Sequence, residues 1–355
     1  MKSLLYENIL RRLLFALTPE AAHNLAIWSL ARLSFAPRLI QSLLGAEQAQ
    51  TSRKIRLFGL DFPNEFGLAA GFDKNAVALP AWAALGFGFV EVGTITAVPQ
   101  RGNPRPRIFR FPEADALINR MGFNNHGADK IADRLRHLKK SGYWPGIPVG
   151  INLGKSKSTS LEKAAEDYAY SFKLLYPYAD YFVLNVSSPN TPGLRSLQNK
   201  AELDRLLKNI QTLNRSNDKP RPILLKIAPD LSWEQIEDIM DLAQANALAG
   251  LIATNTTIDH SAIENLTRFH KINGGLSGRP LALRATEIIR FITANCDLPV
   301  IGVGGIVDTD SAQEKLDAGA RLLQLYTGFV YHGPPLLSEL LQNTIPRPAI
   351  ASEPI

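Results

Sequence analysis

The residues best suited to chemistry follow an apolar run in the middle of the chain. Residues 181–186 predict a buried strand, and the amide of Asn185 lies where that strand ends. The loop after it carries Ser188 and Asn190 among two prolines, a glycine and a further serine. A short strand that delivers amides and hydroxyls to a stiff loop is how α/β folds build active sites. This stretch alone leaves open an ordinary turn between a strand and a helix.

The elements that must position these residues recur as strand, loop and helix. Eight segments predict strands, at residues 66–70, 89–94, 149–153, 181–186, 223–227, 250–254, 300–304 and 322–326. Helical patterns lie between most of them, for example at residues 127–140, 161–175, 201–214, 232–246 and 281–294. Eight such units predict an α/β fold of the (β/α)8 TIM barrel type. An open doubly wound sheet is the alternative, because periodicity cannot show that a sheet closes.

Polar residues cluster at the carboxyl ends of all eight predicted strands, which is where barrel enzymes hold their active sites. Many of the polar residues in and around these loops are amides, namely Asn119, Asn124, Asn125, Asn152, Asn185, Asn190 and Asn255. Each amide both donates and accepts hydrogen bonds. The set therefore suits a small planar ligand with alternating carbonyl and N–H groups.

Two lysines and a late group of glycines indicate ligands with negative charge. Lys74 and Lys226 follow predicted strands and are placed to hold an anion, although a surface lysine with a packed stem is the alternative. Glycines concentrate at residues 274–278 and 302–305. Barrels often bind phosphate in their last loops, through backbone N–H groups that glycine lets a ligand approach. We therefore expect a phosphorylated ligand there, with ordinary turn glycines as the alternative.

The first 44 residues differ from the rest of the chain. They hold five basic and two acidic residues, and so +3 of the net charge of +6. Apolar residues at helical spacing predict two helices that are separated at Thr18-Pro19-Glu20. Their apolar runs are far shorter than the ~18 residues of a spanning helix, and no signal-peptide cleavage site follows. Such cationic, apolar-faced helices predict contact with a membrane surface, and a helical cap on the main domain is the alternative.

The composition and several incomplete motifs argue against disulfide bonds, metal sites and two common nucleotide-binding motifs. The only cysteine, Cys296, excludes a disulfide framework and a cysteine-based zinc site, and it fits a reducing compartment. The six histidines lack metal-ligand spacing, so no metal is expected. Residues 302–307 lack the third glycine of a dinucleotide fingerprint, and residues 150–156 are one residue short of a P-loop.

Six motifs together resemble those of dihydroorotate dehydrogenases, and the likeness covers essentially the whole chain. They are Ala69-Ala70-Gly71-Phe72-Asp73-Lys74, Asn119-Arg120-Met121-Gly122-Phe123-Asn124-Asn125, Asn185-Val186-Ser187-Ser188-Pro189-Asn190-Thr191-Pro192-Gly193, Lys226-Ile227-Ala228-Pro229-Asp230, Gly274-Gly275-Leu276-Ser277-Gly278 and Gly302-Val303-Gly304-Gly305. In this family a loop residue takes a proton from C5 of dihydroorotate, and it is Cys in class 1 and Ser in class 2. The matching position here is Ser188, and the N-terminal helices also indicate the quinone-dependent class 2.

The resemblance implies a flavoenzyme that oxidises (S)-dihydroorotate to orotate in de novo pyrimidine (UMP) biosynthesis. Ser188 would take the C5 proton while hydride passes from C6 to N5 of FMN. The implied FMN-binding residues are Ala70, Gly71, Phe72, Asp73, Lys74, Thr94, Asn152, Asn185, Lys226, Thr254, Gly278, Gly305, Tyr326 and Thr327. The implied substrate-binding residues are Lys74, Asn119, Arg120, Met121, Gly122, Phe123, Asn185, Asn190, Asn255 and Thr256.

The resemblance also implies that a membrane quinone accepts the electrons. The N-terminal helices would form its entry tunnel, lined by His23 and Arg110, although a lone helical histidine is by itself more often a packing or surface residue. The implied protein is a monomer at the cytoplasmic side of the bacterial inner membrane, with no nucleic-acid partner. We expect a helical extension at residues 1–44, a barrel domain at 45–345 that begins with a linker at 45–53, and a tail at 346–355.

Three rival functions are open to test. A soluble, class 1-like dihydroorotate dehydrogenase with another acceptor disagrees with Ser188 and with the N-terminal helices. An FMN barrel acting on RNA uridines would need a cysteine acid near the site and an RNA-binding extension, and the sequence indicates neither. A membrane-binding barrel without catalysis predicts damaged site residues, whereas the positions compared above are intact, and flavin content would separate it from the enzyme.

Overall fold

The computed structural model describes residues 6–44, 54–266 and 272–345. The predicted linker at residues 45–53 and the predicted tail at 346–355 lie outside the described residues, so the predicted domain limits stay predictions. The strands are β1 (Ile55–Leu57), β2 (Leu60–Phe62), β3 (Phe66–Leu68), β4 (Phe89–Ile95), β5 (Ile108–Phe111), β6 (Ala116–Asn119), β7 (Val149–Leu153), β8 (Tyr181–Asn185), β9 (Ile223–Ile227), β10 (Gly250–Ala253), β11 (Gly275–Gly278), β12 (Val300–Val303) and β13 (Leu322–Leu325).

Eight of these strands close into a parallel barrel in the order β3-β4-β7-β8-β9-β10-β12-β13, with β13 paired to β3. The prediction of a closed (β/α)8 barrel is therefore confirmed, and the open sheet is excluded. The helices are α1 (Arg11–Ala16), α2 (Pro19–Leu33), α3 (Pro37–Leu43), α4 (Leu79–Leu85), α5 (Ala128–Lys140), α6 (Ala164–Leu175), α7 (Lys200–Arg215), α8 (Trp233–Ala245), α9 (Ala282–Asn295), α10 (Thr309–Asp317) and α11 (Thr327–Asn343).

The outer helices are held on the barrel by apolar faces with helical spacing. In α5 the buried residues are Ala128, Ile131, Ala132 and Leu135, which are three or four residues apart and so lie on one face. The barrel strands β7, β8 and β9 are buried at every position, as expected when one face meets the helices and the other fills the barrel. Burying each large apolar side chain contributes roughly 1.5–3 kcal/mol.

The interior of the barrel is packed at its amino-terminal end, so only the opposite end can hold a ligand. The hairpin of β1 and β2, which the sequence did not predict, closes that end with Leu57 and Phe62. Inside, the ring of Tyr181 passes 2.1 Å from where a Cβ of Gly150 would lie, so only glycine fits there. Large rings beside glycines fill the tapering interior without a void.

A three-stranded antiparallel sheet of β5, β6 and β11 lies beside the barrel mouth. Its own small core contains Phe111, Ile118 and Leu276. Residues 274–278 were expected to form a glycine-rich loop, but Gly275–Gly278 form strand β11, and phosphate binding at these glycines stays a prediction. The glycines are explained by close packing, because a Cβ at Gly275 would lie 1.9 Å from Thr256 Oγ1.

The N-terminal segment forms three α-helices instead of the two expected. The second predicted helix ends at Leu33, and Pro37 begins α3 because proline suits a first helical turn but not a helix interior. Helix α2 packs against β5 and α4, and α3 packs against α4. No helix in the described parts of the chain is long and apolar enough to cross a bilayer.

Candidate active site

A cavity opens at the carboxyl end of the barrel, where barrel enzymes hold their ligands. Its walls bring together Ser188 and most of the predicted FMN and substrate residues. The lining residues are Ala69, Ala70, Gly71, Lys74, Thr94, Asn119, Met121, Gly122, Phe123, Asn185, Ser188, Asn190, Lys226, Thr254, Asn255, Thr256, Ser277, Val303 and Tyr326.

Amides and hydroxyls on neighbouring strands form a continuous hydrogen-bond network in the cavity floor. Thr94 Oγ1 donates to Asn152 Oδ1 at 2.6 Å, and Asn185 Nδ2 lies 2.9 Å and 3.2 Å from these two oxygens. Asn255 Nδ2 donates to Asn185 Oδ1 at 3.2 Å and to Ser187 Oγ at 2.9 Å. Asn152 is fully buried beneath the lining. Because these groups satisfy one another, the network fixes the orientation of each amide.

A buried carboxylate anchors this network inside the barrel. Glu91 of β4 is fully buried and accepts hydrogen bonds from Asn152 Nδ2 at 2.7 Å and from Gln324 Nε2 at 2.5 Å. Sequence reasoning missed Glu91. The signal was present, since a carboxylate within an otherwise apolar strand needs a buried partner.

Lys226, at the end of β9, presents a buried cation to the cavity. The residue is 5% exposed, and its ammonium makes no hydrogen bond or ion pair with any residue that the structure describes. Burial lowers the pKa of Lys226, and the charge of Glu91 opposes that shift. Because no described residue hydrogen-bonds this ammonium, it is available to an electron-rich ligand group in the cavity.

Lys74 is a second buried cation on the same cavity. Its Nζ donates to Gly71 O at 2.6 Å. Burial, aided by the charge of Arg107, lowers the pKa of Lys74 to about 8, while Glu20 and Asp73 oppose the shift. Lys74 is therefore charged at pH 7 and can meet an anionic substrate group.

Ser188 lies at the cavity in the loop that follows β8. It is 6% exposed, and among the described residues its Oγ has one hydrogen bond, which it accepts from Asn190 N at 3.3 Å. Asn190 Nδ2 donates to Asn119 Oδ1 at 3.1 Å, which ties the loop to β6. The Ser188 hydroxyl is thus close to the ligand space and free to exchange a proton with a ligand.

Arg195 connects this loop to the loops after β9 and β10. Its Nε donates to Ser187 O and its Nη2 to Thr256 O, both at 3.1 Å, and its Nη1 lies 2.8 Å from Asp230 Oδ2. A planar guanidinium suits three such contacts at once. Sequence reasoning gave Arg195 no role, because its partners lie on loops that only the folded barrel brings together.

Five predicted ligand residues have side chains outside the cavity lining, namely Asn152, Thr327, Phe72, Asp73 and Arg120. The carboxylate of Asp73 accepts two backbone N–H groups at 2.9 Å near the start of α4. The ring of Phe72 lies edge-on to Tyr326, with centroids 5.2 Å apart. Arg120 donates to Pro106 O at 3.0 Å. These side chains support the walls, and their direct contacts with FMN or substrate stay predictions.

The four predicted FMN residues Gly278, Gly305, Tyr326 and Thr327 lie near the N-terminus of α11, where the FMN phosphate is expected. A Cβ at Gly278 would lie 2.8 Å from Thr327 Cγ2, and a Cβ at Gly328 would lie 2.1 Å from Ile306 O, which follows Gly305. Thr327 is the first residue of α11, whose helical backbone breaks at Gly333, where φ is 61°. The free N–H groups at such a helix start favour an anion.

Comparison with known proteins identifies the family. The family model described as dihydroorotate dehydrogenase matches residues 52–346. The quinone-type dihydroorotate dehydrogenase of Thermosynechococcus vestitus is 50% identical over 356 residues, which cover 96% of each chain. This chain belongs to the quinone-type dihydroorotate dehydrogenase family. The resemblance predicted from the motifs is therefore confirmed.

A further quinone-type relative and a solved dihydroorotate dehydrogenase structure agree with this chain in sequence and in fold. The protein of Gloeobacter violaceus is 49% identical, over 96% of this chain and 94% of its own. The crystal structure of dihydroorotate dehydrogenase from Eimeria tenella in complex with ferulenol has a TM-score of 0.82 and 35% identity, over 92% of this chain and 90% of that chain. This family is flavin-dependent.

The two residues predicted for the quinone site of a dihydroorotate dehydrogenase lie between the N-terminal helices and the barrel. The ring of His23, on α2, lies 5.3 Å from that of Phe72. Burial, followed by the charge of Lys74, lowers the pKa of His23 to about 3, so the ring is neutral at pH 7. Arg110, on β5, donates to Phe15 O at 3.2 Å near the end of α1. Their contact with quinone stays a prediction.

Proposed function

We propose that this chain oxidises (S)-dihydroorotate to orotate and passes the electrons to a membrane quinone, as a step of de novo pyrimidine (UMP) biosynthesis. The names of its relatives support this substrate and acceptor. Within the structure, the observation that carries the proposal is Lys226, a buried ammonium that no described residue satisfies and that faces the same cavity as Ser188.

The residues around the cavity fit FMN as the flavin. The unpartnered ammonium of Lys226 suits negative charge on a reduced ring, and the N-terminus of α11 suits a phosphate. When bound, FMN supplies the acceptor for the hydride that leaves C6 of the substrate. The residues that would hold it are Ala70, Gly71, Phe72, Asp73, Lys74, Thr94, Asn152, Asn185, Lys226, Thr254, Gly278, Gly305, Tyr326 and Thr327.

The substrate residues suit an anionic pyrimidine. Lys74 supplies a positive charge for the carboxylate, and the amides supply donors and acceptors for the ring edge. Thr256 lines the cavity beside Asn255, so the end of β10 contributes to the same wall. The residues that would bind substrate are Lys74, Asn119, Arg120, Met121, Gly122, Phe123, Asn185, Asn190, Asn255 and Thr256.

Ser188 takes the proton from C5 in this proposal. A serine hydroxyl is a poor base in water, so its loop must exclude solvent and provide an exit for the proton. Ser188 is 6% exposed, and Asn190 N donates to its Oγ at 3.3 Å. That donor stabilises negative charge as it develops on Oγ. Pro189 and Pro192 restrict the loop because each fixes its own φ.

The N-terminal helices support peripheral membrane contact and access for a quinone. Trp28 of α2 is 54% exposed and Phe35 is 58% exposed, while the Arg32 guanidinium lies 3.7 Å from the Trp28 ring. Exposed apolar rings beside cations suit a bilayer surface that carries anionic lipid. The proposed protein is a monomer at the cytoplasmic side of the bacterial inner membrane, with His23 and Arg110 on the quinone route.

One titration under argon tests both half-reactions. The purified protein should show a visible flavin band that bleaches with dihydroorotate and returns when a soluble quinone is added. Bleaching without return would leave the dehydrogenase and overturn the quinone as acceptor. Absence of a flavin band even after reconstitution with FMN would overturn the proposal as a whole.

A further inference from the structure

A chain of contacts runs from the N-terminal helix α2 to the loop that carries Ser188. It begins with Glu20, in the first turn of α2, whose Oε1 lies 2.7 Å from Arg107 Nη2. The two side chains are 12% and 7% exposed, so solvent screens this ion pair little. Arg105 also pairs with Glu20, at 3.0 Å, but its side chain is 68% exposed.

Arg107 continues this series of contacts to residues 101–103, which precede it in the sequence. Its Nη1 donates to Arg101 O at 2.6 Å and to Asn103 O at 3.1 Å. Its Nε also faces the carboxylate of Glu20, at 3.1 and 3.2 Å. Because the guanidinium is a rigid plane, contacts on all three nitrogens fix the position of Asn103 relative to α2.

Asn103 completes this series of contacts at the loop that carries Ser188. Its Nδ2 donates to Asn190 O at 3.2 Å and to Arg120 O at 3.0 Å, while its backbone N donates to Met121 O at 3.0 Å. Asn190 N in turn donates to Ser188 Oγ at 3.3 Å. One amide thus joins the Ser188 loop to the segment at residues 120–121.

We propose that Asn103 is a positioning residue for the Ser188 loop, and that the Glu20–Arg107 ion pair makes this positioning depend on the docking of α2. The membrane-facing extension therefore contributes to substrate binding as well as to quinone access. The inference rests on the proposed function only in taking this loop as the one that closes over dihydroorotate.

The test compares full-length, flavin-loaded variants at pH 6.5, below the pKa of about 8 that Lys74 has in the unmodified protein. Asn103→Ala removes the amide, and Asn103→Asp keeps its shape without the donor. Each should weaken dihydroorotate binding about tenfold in anaerobic flavin reduction, because one lost hydrogen bond changes an equilibrium by about that factor. Reoxidation by a soluble quinone should stay within about twofold of the unmodified protein.

Glu20→Gln removes the ion pair with Arg107, at the α2 end of this series of contacts. It should weaken substrate binding about fivefold, although Glu20 lies on an N-terminal helix. The matched control is Arg105→Ala, which removes the exposed partner of the same carboxylate and should change binding less than about twofold. The double variant of Glu20→Gln and Asn103→Ala should bind no more weakly than Asn103→Ala alone, because both act through one chain of contacts.

Hydrogen–deuterium exchange supplies a readout that does not depend on turnover. Amides at residues 187–193 should exchange faster in both Asn103 variants and in Glu20→Gln, and at the normal rate in Arg105→Ala. Normal substrate affinity and normal exchange in the Asn103 variants would overturn the positioning role. If Glu20→Gln changed substrate binding and amide exchange no more than Arg105→Ala does, the link to α2 would be overturned. If dihydroorotate does not reduce the flavin of the unmodified protein, the proposed function fails, while the exchange rates still decide the positioning role.

Discussion

Two buried lysines in different regions of the molecule show what separates a ligand site from an interior. Lys315, on α10 in the helix layer, is fully buried and donates to Ala282 O at 3.2 Å and to Thr286 Oγ1 at 2.9 Å. Lys226, at the barrel mouth, is 5% exposed and has no such bond to any described residue. The two lysines are buried alike, and the difference is whether the protein itself satisfies the cation.

The neighbouring residues Ser187 and Ser188 also differ in whether the protein satisfies their hydroxyl groups. Ser187 Oγ donates to Asn185 Oδ1 at 3.2 Å and accepts from Asn255 Nδ2 at 2.9 Å. Within the described parts of the chain, Ser188 Oγ accepts one hydrogen bond and donates none. Polar groups that the protein satisfies hold the shape of the mouth, and those that it leaves open are available to a ligand.

The largest expected effect comes from Ser188→Ala. Removal of a general base slows the step it serves by about 10²–10⁴-fold, so flavin reduction by dihydroorotate should slow by that factor. Flavin content and thermal stability should stay normal, because few protein contacts are lost. Stopped-flow absorbance under argon measures the reduction.

Ser187→Ala is the matched control for that variant. It breaks a satisfied network and should slow reduction by no more than about tenfold, the equivalent of one hydrogen bond. If Ser187→Ala slowed reduction as much as Ser188→Ala, the distinction between open and satisfied hydroxyls would be wrong.

Lys226→Met should separate ligand function from stability. Loss of a cation that meets developing charge costs about 10²–10³-fold in rate, so the variant should lose flavin or be reduced that much more slowly. The free energy of unfolding of the flavin-free protein should change little, because the cost of burying the ammonium is removed while its attraction to buried Glu91 is lost. Urea unfolding and flavin spectra measure the two effects. A destabilised variant that binds and reduces flavin normally would contradict them.

The barrel and much of the site follow from the sequence for clear physical reasons. Barrel strands are short apolar runs with abrupt polar ends, and residues 149–153 and 223–227 were predicted to the residue. The three-residue strands β1 and β2 carry too little periodic signal to be recognised. The sheet of β5, β6 and β11 joins β6 to a strand that follows it by more than 150 residues, and no local pattern predicts such a pairing.

The sequence could not tell which polar groups the protein satisfies. Lys155 follows β7 much as Lys74 follows β3, yet its Nζ donates to Ser156 O at 2.9 Å and to Thr159 O, so it is held within its own loop. Lys226 has the same kind of position and no partner among the described residues. Only the three-dimensional neighbours distinguish the two, which is also why Asn103 was missed.

Lys315→Met tests the buried lysine of the helix layer through the pH dependence of protein stability. Burial lowers the pKa of Lys315 to about 8, against an ordinary value of 10.5, and Glu314 opposes the shift. Between these values the unfolded chain binds a proton that the folded protein does not, so stability rises with pH. The variant lacks this rise, and from pH 7 to 10.5 the unmodified protein should gain about 3 kcal/mol relative to it. Urea unfolding across that range measures the gain, and flavin reduction at pH 7 should stay within about twofold. Stability curves that run parallel would show that burial does not control Lys315.

The smallest effect is expected on FMN affinity at Thr327. Two variants there separate the contribution of the hydroxyl from that of the methyl group. Thr327 Oγ1 lies 2.9 Å from Ser277 Oγ at the start of α11. Thr327→Ser keeps the hydroxyl and should change FMN affinity less than about twofold, whereas Thr327→Val keeps the shape and should weaken it about fivefold, the equivalent of one hydrogen bond. Fluorescence titration of the flavin-free protein with FMN measures both. Equal affinities in the two variants would mean that the hydroxyl serves packing with Ser277 and does not contact the phosphate, which would move the anion site to the backbone N–H groups of α11 alone.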